Sequence, residues 1–158
     1  MTGSSFNEVP QTDQGEFGFS MLMESLGRKY GAELRFDESF AALLDTPLDE
    51  LCDPGEPAPG TLGELIARDD APFSLLLRAK SALKSISYAS SKPERQVCGA
   101  MGYYLCIARG LITHRSRLTK LEPAVLLVAL QWAKEQPWID DEHRSLLTQS
   151  ELIARGRK

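Results

Sequence analysis

Two cysteines and a histidine lie close enough in the sequence to suggest nucleophilic chemistry. Cys98 and Cys106 fall in one apolar stretch, and His114 follows shortly after it. A thiol with a histidine as its base is a known nucleophilic arrangement. On a helix, however, the two cysteines are about 12 Å apart, too far for a disulfide or a shared metal. We expect buried structural thiols and assign no catalytic residue.

The densest group of possible metal ligands is Asp140-Asp141-Glu142-His143. Consecutive helical residues point about 100° apart, so these side chains cannot converge on one ion. Acids at a helix start instead cap it and oppose its dipole. The only two histidines, His114 and His143, have no metal-binding spacing. We therefore predict no metal site and no cofactor, and the nucleotide-binding and nucleophile-elbow glycine motifs are also missing from the sequence.

Charge is segregated along the chain, although the net charge is only -4. Residues 1–71 hold four Lys/Arg and fifteen Asp/Glu. Residues 72–120, in contrast, hold nine Lys/Arg and one Asp/Glu. Residues 121–158 are nearly balanced, with five Lys/Arg and six Asp/Glu. We call the first two segments the acidic block and the basic block. They can neutralise each other across the fold or face outside partners.

The candidate partner- or anion-binding residues lie in the basic block, mostly where the central apolar helix ends. The dipole at a helix C-terminus stabilises cations without any ligand. Recognition of phosphate, nucleic acid or an acidic protein surface is the functional alternative. No aromatic residue interleaves with these charges, which disfavours nucleic acid. An acidic protein surface is favoured, the chain's own N-terminal segment included. The candidates are Arg95, Arg109, His114, Arg115, Arg117 and Lys120.

The apolar periodicity predicts an all-α fold in one domain, a helical bundle around a central apolar helix over residues 94–113. Residues 96–108 carry no charge, as expected for a helix buried on all sides. Sequences of the capping-box type at Thr61 and Ser91 mark helix starts. The predicted organisation is a disordered tail (1–15), an acidic helical element (16–51, with a short helix over 17–30), a Pro/Gly linker or loop (52–60) and a helical core (61–155).

One side of the central helix consists of small residues. Cys98, Gly99, Gly102, Cys106 and Gly110 share this side, with Arg95 and Arg109 at its two ends. Because glycine lowers helix stability by up to about 1 kcal/mol, something must approach closely there. Either a neighbouring helix packs on the face, or the face forms a groove for an anionic ligand.

The sequence favours a non-enzymatic protein. No apolar run approaches the roughly 20 residues needed to span a bilayer, and the N-terminus lacks a signal-peptide pattern. The three cysteines have no zinc or disulfide spacing, so we expect reduced thiols in a soluble, cytoplasmic protein. The expected function is that of an interaction or regulatory module that binds an acidic partner through a basic surface. Alternatives are a nucleic-acid or small-anion binder, or an enzyme that uses the small-residue face.

Overall fold

Helices account for 75% of the residues that the computed structural model describes, namely 35–52, 57–115 and 119–156. These ranges contain no strand, which confirms the all-α prediction. The predicted tail over 1–15 and the predicted helix over 17–30 lie outside the described residues. In chain order the helices are α1 (Phe36–Leu44), α2 (Leu48–Leu51), α3 (Leu62–Ala67), α4 (Phe73–Ala89), α5 (Pro93–His114), α6 (Pro123–Lys134) and α7 (Asp141–Gly156).

Helix α5 is the centre of the bundle, as its uncharged sequence predicts. Every residue from Val97 to Leu111 is buried. Helices α1, α3, α4, α6 and α7 all pack against α5. The helix expected over residues 94–113 therefore exists with ends shifted by one residue, and its apolar circumference is covered on all sides.

The small-residue face of α5 is a packing surface for α4. A Cβ placed on Gly99 would lie 3.1 Å from Ser87 Cβ and 3.4 Å from the Leu83 carbonyl oxygen. A Cβ on Gly102 would lie 3.1 Å from Leu83 Cδ2. Both glycines thus allow α4 to approach α5 more closely than a side chain would permit. Of the two interpretations of this face, the structure shows helix packing at Gly99 and Gly102.

Two backbone hydrogen bonds connect the residues on either side of the proline- and glycine-rich segment 52–60. The Leu48 amide donates to the Gly60 carbonyl (2.8 Å), and the Leu62 amide donates to the Thr46 carbonyl (3.0 Å). Gly60 has φ +92°, a conformation that side-chain-bearing residues rarely adopt. These bonds hold α2 against the start of α3, which fixes Leu51 beside α4.

One predicted capping box is confirmed and the other is wrong. Thr61 Oγ1 accepts from the Glu64 amide (3.2 Å), and Glu64 Oε1 accepts from the Thr61 amide (2.8 Å). Helix α5, by contrast, begins after Lys92 with no side-chain cap. Pro93 occupies the first turn, where its fixed φ favours a helix start, and this places the N-cap one residue after Ser91.

An aromatic cluster joins α1 to the turn before α7. The Trp138 ring lies 5.5 Å from the rings of both Phe36 and Phe40. The Phe40 ring in turn lies 5.7 Å from His143. Asp140 Oδ1 accepts from the His143 amide (2.9 Å) and lies 2.7 Å from His143 Nδ1. This carboxylate therefore caps the start of α7, as predicted for the acids there.

In the ranges that the structure describes, no helix combines the length and the apolar character needed to cross a membrane.

Replacing Gly102 with Leu should destabilise the protein by about 1–3 kcal/mol, because the added side chain must displace Leu83 from a packed interface. The free energy of unfolding from urea titrations measures the effect. Gly156→Leu is the matched control, since a Cβ there meets nothing within 4 Å. Equal stability of the Gly102→Leu variant and the wild type would mean that this face is open.

Candidate functional site

The structure does not bring together the five predicted binding residues that it describes. Arg95 is exposed in the first turns of α5, and Arg109 lies near the other end of the same helix. Their separation of fourteen positions along the helix corresponds to about 21 Å. Lys120 is exposed beyond the end of α5, and Arg117 lies outside the described residues. No single ligand of ordinary size contacts both ends of this helix.

Arg109 is a structural residue of the core. Its Nε donates to the Ile66 carbonyl at 2.7 Å, and Nη1 lies 3.5 Å from Asp69 Oδ1. Burial lowers the pKa of Arg109, and the neighbouring Asp69 carboxylate opposes that shift. The guanidinium therefore joins α3 to α5, and its ion pair with Asp69, whose side chain is fully exposed, lies at the surface.

The end of α5 is tied to residues 69–73 by three further contacts. His114 Nε2 lies 2.6 Å from the Ala71 carbonyl oxygen, and the His114 ring meets the edge of Phe73 at 5.7 Å. Thr113 Oγ1 donates to the Asp69 carbonyl (3.1 Å). Arg115 ends the helix in the left-handed conformation, with φ 55°. Two residues of the predicted basic stretch, Arg109 and His114, thus contact residues 66–73.

The thiols have environments that suppress nucleophilic chemistry. Burial, together with the Glu94 and Asp37 carboxylates, raises the pKa of Cys98 to about 12. The pKa of Cys106 is also raised to about 12, by complete burial and the nearby Cys52. The Cys98 thiol donates to the Phe36 carbonyl at 3.4 Å. Among the described residues no group of metal-ligating side chains could hold an ion.

A groove on the outer side of α4 is the feature that sequence reasoning missed. Its volume is about 590 Å³. Part of the lining comes from α2, which the backbone bonds at Thr46 and Gly60 hold against the start of α3. The rest is an exposed or half-buried face of α4 that combines apolar side chains, two serines and one guanidinium. The lining residues are Leu51, Leu77, Arg78, Ser81, Ala82, Ser85 and Ile86.

Exposed apolar side chains extend along the same helix. Leu77 is 40% exposed, Phe73 42% and Tyr88 49%. At 100° per residue these three project from one side of α4, away from the face packed on Gly99 and Gly102. The sequence does indicate this exposed surface. Three consecutive leucines, Leu75-Leu76-Leu77, cannot all face the core from one helix, so one of them must project outward.

Comparisons of the chain with protein-family models, curated proteins and solved structures give no match. The assignment of a site therefore depends on geometry. A concave surface that combines apolar lining with a few polar groups is the usual form of a binding site. By this criterion the α2–α4 groove is a better candidate than the predicted basic stretch.

Replacing Arg109 with Met should cost about 1–3 kcal/mol of stability, because the buried Ile66 carbonyl loses its donor. Lys120→Met, at an exposed position, should change stability by less than about 0.5 kcal/mol. Urea unfolding of both variants measures the difference. An Arg109→Met variant as stable as Lys120→Met would show that Arg109 is available to a partner.

The native thiols should resist alkylation by iodoacetamide at pH 8. With a pKa of about 12, roughly one thiol in ten thousand is ionised at that pH, and burial blocks the reagent further. Mass spectrometry should find Cys98 and Cys106 labelled at least about a hundredfold more slowly in the native than in the urea-unfolded chain. Rapid native labelling of either cysteine would support the enzyme alternative.

Proposed function

We propose that this protein is a non-enzymatic interaction module that binds an acidic, amphipathic helical segment in the α2–α4 groove. The observation that carries the proposal is the groove itself, where Leu51, Leu77 and Ile86 line one cavity with Arg78. Many recognition domains seat the apolar face of a helix in such a groove and use residues at i, i+3, i+4 and i+7 as anchors.

The positive charge of α4 supports an acidic ligand. Helix α4 carries Arg78, Lys80 and Lys84 and no acid. Lys80 Nζ lies 5.6 Å from the Tyr103 ring centroid, so its ammonium stays at the side of the helix over an aromatic face. Complementary charge orients the partner and accelerates association, while buried apolar anchors supply most of the affinity.

The lining also favours protein over nucleic acid. The exposed Leu77 side chain in this groove gains by burial against an apolar side chain of a partner, whereas a phosphate backbone offers it no such contact. Phe73 and Tyr88 are fifteen residues apart on α4, about 22 Å, which does not form a continuous stacking platform. The buried thiols, Cys52 among them, support the cytoplasm as the compartment of this regulatory module.

Replacing Leu77 with Glu should weaken binding of an acidic amphipathic peptide by at least about tenfold, since it removes an apolar anchor and adds repulsion. The probe is a fluorescein-labelled peptide with Leu at i, i+3, i+4 and i+7 and Glu at the other positions. Fluorescence anisotropy with the full chain measures the dissociation constant.

Leu152→Glu is the matched control, because Leu152 is 66% exposed on α7, away from the groove. It should leave the affinity unchanged. A second control peptide with Lys in place of every Glu should bind more weakly than the acidic peptide. Equal effects of the two substitutions, or tighter binding of the Lys peptide, would contradict the proposal.

A further inference from the structure

We infer that Arg78, Ser81 and Ser85 form a carboxylate subsite in the α2–α4 groove, so that the partner helix carries an acidic side chain among the apolar residues that face the groove. The inference rests on the proposed function, because it defines the ligand of the same groove more closely. Three arguments support it: the order of side chains around α4, the loss of water on binding, and the hydrogen-bonding capacity of the three residues.

The polar lining of the groove forms a stripe along α4. Arg78 precedes Ser81 by three positions, and Ser85 follows Ser81 by four. Residues three and four apart are neighbours on a helix surface. All three side chains line the same cavity. One bound group can therefore meet a guanidinium and two hydroxyls from the same side. We call these three residues the polar stripe.

Apolar side chains lie on both sides of the polar stripe. At 100° per residue, the stripe lies about 40–100° around the helix axis from Leu77. Ala82 and Ile86 follow at about 140–180°. Both also line the groove, as does Leu77. Across its width α4 thus presents an apolar edge, a polar middle and a second apolar edge.

A helix that covers the groove removes water from the polar stripe. Ser81 and Ser85 are exposed and Arg78 is half-buried, so all three are hydrated in the free protein. Ser87, on the core side of α4, instead donates to the Gln96 carbonyl. Donors covered by hydrocarbon alone lose their bonds to water and gain none, which opposes binding. An entirely apolar helix face is therefore a poor fit to this groove.

A carboxylate supplies the acceptors that the polar stripe requires. A guanidinium has only donors, and each serine hydroxyl adds one donor. An ionised carboxylate has only acceptors, and its two oxygens can accept from both kinds of group. A cation would be repelled, since α4 carries Arg78, Lys80 and Lys84 and no acid. The subsite thus selects a helix with an acid inside its apolar face and disfavours one without it.

The test is a double-mutant cycle, measured by fluorescence anisotropy with the full chain. Two peptide pairs derive from the labelled Leu/Glu peptide, with the Leu at i+3 or at i+4 replaced by Glu in one member and by Gln in the other. In the better pair, the Glu peptide should bind the wild type at least about tenfold more tightly than the Gln peptide. In Arg78→Met this ratio should fall below about threefold.

Lys84→Met is the matched control, because Lys84 is a cation of the same helix that does not line the groove. It should keep the ratio of the wild type. A second variant, Ser81→Ala with Ser85→Ala, removes two hydroxyls at exposed positions and should lower the ratio by about threefold or more. This variant decides the question if Arg78→Met does not fold.

Backbone amide resonances of ¹⁵N-labelled protein give a readout that needs no peptide. Sodium hexanoate, a carboxylate on a short apolar chain, is the probe, and hexanamide is its neutral control. Hexanoate should shift the resonances of residues 77–86 in the wild type more than hexanamide does. Arg78→Met should abolish the difference between the two probes.

The two proposals fail in different ways. If the peptides bind but the Glu-to-Gln ratio is the same in Arg78→Met as in Lys84→Met, the subsite is wrong and the function of the groove stands. If no peptide binds while hexanoate shifts residues 77–86, the proposed helical partner is wrong and the carboxylate belongs to a small amphiphilic acid, which overturns the inference. If neither peptides nor hexanoate bind, both proposals are wrong.

Discussion

The close approach of α4 to α5 determines how the rest of the molecule is arranged. Gly99 and Gly102 remove the side chains that would separate the two helices, and Leu83 and Ser87 fill the space. This contact fixes the rotation of α4 about its axis. Once its core face is fixed, Phe73, Leu77 and Tyr88 must project outward. Of these three, Leu77 lines the outer groove, together with other residues of α4 and Leu51 of α2.

The segregated charges of the chain have different roles at the two ends of α5. At the C-terminal end, Arg109 is buried between the Ile66 carbonyl and Asp69. A guanidinium in this position satisfies backbone acceptors and holds α3 in place, and removing it would leave a buried acceptor without a donor. At the other end, Glu94, the single acid of the basic block, accepts from the Arg35 amide. Of these two contacts, only the Arg109–Asp69 pair joins opposite charges of the two blocks.

The sequence predicts the helices and the core well because these depend on local signals. An uncharged stretch identifies α5, a capping box marks α3, and the glycines of α5 indicate a close neighbour. The groove depends on contacts between distant residues. Leu51 reaches α4 only because backbone bonds at Thr46 and Gly60 close the chain between α2 and α3. In the same way, nothing local to Arg109 indicates that its partners lie on α3 and in the turn after it.

The central claim is that the outer face of α4, and not the basic stretch at the end of α5, receives the partner. Photo-crosslinking tests this claim most directly, with the full-length protein and a Leu/Glu peptide that carries a benzophenone at one apolar position. Mass spectrometry should locate the adducts on Leu51 and on residues 77–86. Adducts on residues 109–120, with none on α4, would contradict the account and show that the partner binds the basic stretch.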